Sequence, residues 1–407
     1  MRAGHGYSLL RVVLIKTVIN QHGFICREQF VMAHSRISAV ASAVRGNRLL
    51  FYPIVLAVAV RIVGAVWFYH LMLSEQSTFH FAWMGANPNI IPAGWKWLYV
   101  FNGGDSFQFP LIAMKGYAHP VYVFLPAYPV LIWVVGSLLE NYWFGAFLVT
   151  QAFALGAIFV FQLLAHRYMD PREAMYATLL MATFPYISVF TTLGYSEAVF
   201  LFASISTWYF YKVERFGASA LLAGLTSISR IYGPAIILPL LFDIMTEKRW
   251  RRLAYLAVPV AFIAAWGIFC YATTGDFLAS WTDETKYYTL AGGSLNLVQT
   301  IFSQLTLRLP TAGIDPAVFV SVALFGFLTV RVWKIDRFLW VYAVALLGAF
   351  MLTVIAHITL LRFLAFVFPI WLTVRVKNPI VVAACVLLFI PIGLLLWLYA
   401  ITVFFVG

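Results

Sequence analysis

The chain is predicted to be an all-α polytopic membrane protein, and three features of the sequence predict it. Apolar residues fill 63% of the 407 positions and charged residues only 10%, and the mean hydropathy is +0.89. Apolar runs of spanning length recur from residue 51 to the C-terminus, with no polar block long enough for a separate globular domain. The basic residues stand in short clusters between those runs, the pattern that fixes a membrane protein's orientation. The formal charge of +12 is therefore read as topology, and no nucleic-acid partner is expected. Two parts follow: a basic cytoplasmic segment, 1–48, and one transmembrane domain, 49–407.

The N-terminal segment carries Arg2, Arg11, Lys16, Arg27, Arg36, Arg45 and Arg48 against Glu28. No small-residue cleavage site precedes the first long apolar run, so no removable signal peptide is expected; Met32 is an alternative start. The first span, 51–73, then leads outward and places 74–119 outside. Residues 120–139 are long enough to cross but hold Pro120, Pro126 and Pro129. A full crossing there would put five later basic clusters outside. These are His166-Arg167 with Arg172, Lys212 with Arg215, Lys248 to Arg252, Arg331 to Arg337, and Arg375 with Lys377. Treating 120–139 as a juxtamembrane or re-entrant element places all five inside.

The remaining spans read 143–166, 174–192, 195–211, 217–230, 231–246, 253–272, 316–332, 338–356, 363–374 and 379–403. The total is about eleven crossings, with the N-terminus cytoplasmic and the C-terminus outside. Spans 217–230 and 231–246 have roughly 15 residues each, about 22 Å of helix against a hydrocarbon core of about 30 Å. The turn Ser229-Arg230-Ile231-Tyr232-Gly233-Pro234 is therefore expected below the outer surface, where irregular backbone must line an enclosed or watery cavity. The same reasoning covers Arg362, at the start of a short span.

The outer segments collect the polar chemistry. Asp105, in Asn102-Gly103-Gly104-Asp105-Ser106, is the leading candidate for a catalytic carboxylate; the alternative is a cap of a short interfacial helix. Glu197 opens a span, where a carboxylate either caps the helix N-terminus or serves a site. Asp276 follows a glycine and reads equally as a turn residue. Asp283 and Glu284 read as a solvated face, and Trp95 and Trp97 as interfacial belt residues. Arg230 and Arg362 need anionic partners at their depth. Those partners are either a protein carboxylate, Glu197 or Asp276, or a lipid-borne phosphate, which suits the planar guanidinium. Arg61, alone in the first span, reads as structural or snorkelling. Cys26, Cys270 and Cys385 are unpaired in spacing, and the eight histidines show no metal-ligand motif. No metal or cofactor is implied.

Several of these segments resemble, in order, the motifs of the PIG-V family, the mannosyltransferases that add the second mannose to GPI anchors, and their prokaryotic relatives. They are Gly104-Asp105, then Phe124 to Leu131, then Phe184 to Phe190 with Gly194-Tyr195-Ser196-Glu197. Ser229-Arg230 with Gly233, Gly275 to Ala279 with Trp281, and Leu361-Arg362-Phe363 with Pro369 complete the set. Gly104, Phe184 and Phe277 depart from the family's Trp, Asn and Pro. The resemblance implies a glycosyltransferase C fold, with an outer-loop aspartate near a polyprenyl-phosphate-sugar donor. On that reading the protein is an inverting transferase. It passes a hexose, mannose for this family, from a polyprenyl or dolichyl phosphate to an extracytoplasmic acceptor hydroxyl on a glycolipid or glycan. Asp105 is the general base, Arg230 and Arg362 bind the donor phosphate, and Glu197, Asp276 and Tyr195 position sugar or acceptor. The membrane would be the plasma membrane in a prokaryote and the endoplasmic reticulum in a eukaryote. The alternatives are a lipid-linked-sugar flippase or small-solute transporter without catalysis, and an inactive scaffold subunit. A transporter should bury ionisable groups at mid-span, whereas these acids are expected in outer loops.

Overall fold

The computed structural model of the protein describes residues 48–74, 91–290, 316–353 and 357–402. Among the described residues every regular element is a helix or a 3-10 turn, with no strand. Tyr52–Ser74, Tyr142–Ala165, Trp250–Thr274 and Pro379–Ile401 are long and apolar enough to cross a bilayer. This is an α-helical membrane protein. The described residues from 51 onward form one compact unit, and of the unit before it only the 3-10 turn Arg48–Leu50 is described.

The helices run α1 (Tyr52–Ser74), α2 (Gln108–Lys115), α3 (Ala127–Leu138), α4 (Tyr142–Ala165), α5 (Pro171–Thr183), α6 (Pro185–Phe190), α7 (Glu197–Lys212) and α8 (Phe216–Ser227). They continue as α9 (Ile237–Thr246), α10 (Leu253–Thr274), α11 (Ala279–Leu290), α12 (Pro316–Val332), α13 (Arg337–Thr353), α14 (His357–Ala365) and α15 (Pro379–Thr402). Their limits follow local chemistry. Asn141 accepts the Phe144 N–H at 2.9 Å and so caps α4. Pro185 cannot continue the ladder of α5, and Phe184 (φ −56°, ψ 128°) leaves helical geometry to start α6. Gly275 closes α10 in the left-handed region, at φ +76°.

Two predicted spans are broken rather than continuous. The expected span 174–192 breaks at Phe184, between α5 and α6, whereas the break at 231–236, with helix resuming at Ile237, falls where the turn 229–234 was expected. The expected span 363–374 is the end of α14 followed by a buried 3-10 segment, Phe368–Thr373, in which Pro369 lacks the N–H a helix would need. Arg362 accordingly lies in the last turn of α14, not at a helix start.

The element after the first outer loop is short. Helix α3 has 12 residues, about 18 Å of rise. Near its start Tyr128 Oη donates to the Ala146 carbonyl at 3.2 Å and lies 2.6 Å from Thr150 Oγ1. At its end the Gly136 carbonyl accepts the Asn141 N–H. It therefore pairs only with the first half of α4. The close approach needs small residues, because a Cβ on Gly145 would come within 2.8 Å of the Gly136 nitrogen.

All five basic clusters meet at one end of the helices. Arg167 Nη2 donates to the Lys212 carbonyl at 3.4 Å, and Lys212 Nζ pairs with Asp336 at 2.7 Å. Tyr168 Oη donates to the same carboxylate, and Arg375 Nη2 to the Tyr168 carbonyl, at 2.8 and 2.7 Å. Arg337 pairs with Glu247, and Arg252 reaches the Tyr211 hydroxyl. Helix α7 runs from this end to Glu197, about 24 Å away.

Candidate functional site

The turns opposite the basic end bring Asp105, Tyr195, Glu197, Arg230 and Arg362 together. Helix α7 begins at Glu197, and the turn before it is tied to the Asp105 segment by the Gly194 N–H, which donates to the Phe101 carbonyl at 2.9 Å. Arg230 comes from the break between α8 and α9. That break is pinned by the Ala127 N–H on the Ile228 carbonyl, at 3.1 Å, and by Gly233 N–H on the Arg230 carbonyl, at 2.7 Å. Only glycine fits at 233, since a Cβ there would lie 2.0 Å from the Thr226 carbonyl oxygen.

Glu197 is fully buried and joins both arginines. Its Oε1 accepts from Arg362 Nε at 2.5 Å and also contacts Arg362 Nη2. Its Oε2 stands 2.9 Å from Arg230 Nη1. This second contact is an ion pair and not an in-line hydrogen bond; Nη1 also donates to Ser196 Oγ at 3.1 Å. Arg230 Nε donates to Tyr232 Oη at 3.0 Å. Aromatic faces complete the cage: Phe190 and Tyr195 lie 4.0 and 4.5 Å from the Arg362 guanidinium, and Phe363 lies 5.2 Å from that of Arg230. Two cations and one anion leave this buried trio at +1. Glu284 on α11 acts on Arg230 at longer range.

Asp105 sits at the edge of this cluster, half-buried in the 3-10 turn Gly104–Phe107. Gly104 takes φ +61°, a backbone region that favours glycine. The Tyr195 hydroxyl meets the Asp105 backbone N–H and lies within electrostatic reach of the Asp105 carboxylate and of Arg362. Tyr195 therefore bridges the acid and the guanidinium pair. It is itself 6% exposed, which suits holding Asp105 and Arg362 in place better than direct contact with a ligand. The Asp105 turn packs on α15, where Trp397 Nε1 donates to the Val100 carbonyl at 2.7 Å. A Cβ on Gly103 would meet the Ala400 carbonyl oxygen at 2.3 Å. Gly103→Ala is therefore expected to lose about 1–3 kcal/mol by overpacking, seen as a lower thermal midpoint in detergent.

Several sequence expectations change. The partner of both arginines is a protein carboxylate, Glu197, so the phosphate reading survives only through the trio's surplus charge. Asp276 is not at this cluster. Its Oδ1 accepts the Leu278 N–H at 2.8 Å and its Oδ2 the Thr282 hydroxyl at 2.6 Å, so it caps α11. Asp283 is not solvated. It is fully buried, and accepts the Tyr122 N–H at 3.1 Å beside His119 Nδ1 at 2.7 Å. Arg61 does not snorkel. It is 6% exposed, and its Nε and Nη2 donate to Thr192 and Thr191 hydroxyls at 2.9 and 3.0 Å. Those hydroxyls donate in turn to the Ser188 and Ile187 carbonyls, which tethers α1 to the end of α6. The sequence reading also missed Ser196, Tyr232 and Phe363 as partners. Their only signal was adjacency to Glu197, Arg230 and Arg362.

The Asp276 cap carries a pH expectation. The Thr282 hydroxyl, then the Leu278 N–H, hold its carboxyl below the usual carboxylate range. A depressed folded-state value means that the cap's contribution is full above the ordinary value of about 3.9 and is lost as pH falls below it. Amide exchange over 279–290, corrected for intrinsic rate, should accelerate in that acid window and not between pH 5 and 8. Asp276→Asn should abolish the acid dependence.

Comparison with known proteins found no matching family model, no matching curated protein and no matching solved structure. Among the described residues no group of three or more His, Cys, Asp or Glu side chains could hold a metal ion.

Proposed function

We propose that the protein is an integral-membrane inverting glycosyltransferase of the PIG-V kind, with the glycosyltransferase C arrangement and about eleven crossings. It transfers a hexose, mannose by the resemblance, from a polyprenyl or dolichyl phosphate to an acceptor hydroxyl on the extracytoplasmic side. The observation that carries this reading is the meeting of Asp105 with the Glu197–Arg230–Arg362 trio through Tyr195. The gathering of the five basic clusters at the far end, and the pairing of α3 with only half of α4, support the accompanying topology.

In the reaction the acceptor oxygen attacks the anomeric carbon while the bond from that carbon to the phosphate oxygen breaks. Asp105 takes the hydroxyl proton. The phosphate leaves with the bonding electrons, and the trio's net positive charge offsets the charge that grows on it. Arg230, with 15% of its side chain exposed against 4% for Arg362, is the guanidinium that faces the donor. Arg362 and Glu197 orient it.

A second reading, a lipid-linked-sugar flippase, gains from one observation: Glu197, Arg362 and Arg61 are ionisable groups buried among helices. Proteoliposomes loaded with labelled polyprenyl-phosphate-mannose and a panel of glycolipid and peptide acceptors separate the two. Transfer of label to an acceptor supports the enzyme. Movement of intact donor between leaflets, with no transfer to any acceptor, supports the flippase.

A further inference from the structure

The basic end holds a second polar construction, independent of the reading above. Arg249, Trp250, Arg251 and Arg252 follow one another at the foot of α10. Arg252 is fixed in place: its guanidinium lies 4.0 Å from the Phe216 ring centre, and its Nη1 lies 3.5 Å from Tyr211 Oη and 3.8 Å from Asp243 Oδ2. Arg249 shares that buried carboxylate at 3.4 Å. Lys248 and Arg251 are exposed. Glu247 is engaged by Arg337. Among the described residues the four cations at 248, 249, 251 and 252 thus have Asp243 as their one ion-pair partner, a surplus of three charges. Elsewhere at this end Lys212 has Asp336 and Arg337 has Glu247.

Arg252 also forms the rim of a narrow, shallow cleft with room for about one water, walled by Phe216, Ala220, Leu240, Ile244, Leu256 and Pro259. The cleft lies against the first two turns of α10, part of a segment long and apolar enough to cross a bilayer. Leu253, Tyr255 and Val260 nearby are exposed apolar or aromatic side chains, and so is Trp250, which suits the level of lipid headgroups. A cleft in that position opens onto lipid.

We propose that it binds an anionic phospholipid. The phosphate and headgroup charge rest on Arg251 and Arg252, with Lys248 in reach, and the upper part of one acyl chain lies over the exposed Leu253, Tyr255 and Val260 at the mouth of the cleft. Charge complementarity chooses the anionic lipid, since a zwitterionic headgroup does not offset the surplus. The apolar wall chooses a lipid over a free phosphate.

Native mass spectrometry of the full chain, released from a neutral detergent and titrated with dioleoyl phosphatidylglycerol or dioleoyl phosphatidylcholine, tests this. The wild type should retain phosphatidylglycerol at a concentration about tenfold lower than phosphatidylcholine, and glycerol 1-phosphate should not displace it. Arg251→Gln should shrink that preference about fivefold, and Arg251→Gln with Arg252→Gln should abolish it. Lys334→Gln, an exposed cation of another cluster, should leave it unchanged. Arg251 is exposed, so its single variant decides the matter even if the double variant unfolds. Equal retention of the two lipids overturns the site, as does an unchanged preference in Arg251→Gln or an equal loss in Lys334→Gln. Displacement by glycerol 1-phosphate at lipid-like concentrations overturns the acyl-chain part.

Discussion

Glu197→Gln is expected to lower stability by about 3–5 kcal/mol, the cost of removing one partner from a buried ion pair. The glutamine keeps the shape of the side chain but leaves Arg230 and Arg362 facing each other as like charges in a low-dielectric interior. Neither relaxes freely into water, since Arg362 is 4% exposed and Arg230, 15% exposed, is held by Ser196 and Tyr232. The measurement is the thermal midpoint of purified protein in detergent, with folded yield as a second readout. A loss of charge balance makes a further demand: Glu197→Gln combined with Arg362→Gln should be more stable than Glu197→Gln alone, because the double change leaves a single cation. Strict additivity of the two substitutions would show that the side chains do not interact, and would dissolve the trio.

Asp105→Asn is expected to reduce transfer by about 10²–10⁴-fold, the usual contribution of a general base, with the thermal midpoint nearly unchanged. The amide fits the same 3-10 turn and accepts hydrogen bonds, but it cannot take a proton at neutral pH. Asp105→Glu keeps the chemistry while moving the oxygens outward, and should recover part of the rate. Near-normal turnover in Asp105→Asn would remove this residue from catalysis. A collapse of stability in that variant would instead make it a structural residue of the turn. On the proposed reading the two substitutions separate the parts of the site: Glu197→Gln tests what holds it together, and Asp105→Asn tests what acts in it.

Much of the architecture could be read from residue pattern because a bilayer punishes exceptions. Spans must be apolar and helical to satisfy their own backbone, and basic residues collect on one face. The grouping of clusters 166–172, 212–215, 248–252, 331–337 and 375–377 followed from charge alone, and so did the break near Arg230, from span lengths too short to cross. Composition could not place the breaks at Phe184 and Pro369, which depend on how prolines meet the packing of neighbouring helices. It could not decide between ligand and protein as the anion for Arg230 and Arg362 either.

Hydropathy along the chain settles that this is a helical membrane protein, because partition into lipid is governed by each segment's own side chains. Which of those groups meet is a matter of tertiary contacts. Glu197 and Arg362 are 165 positions apart, and no local pattern announces their pairing. Asp276 and Asp105 both follow a glycine, yet one caps a helix and the other stands beside Tyr195. Packing of α6, α7, α14 and the 228–236 turn makes that distinction, since an ion pair forms only where two distant segments are buried against each other.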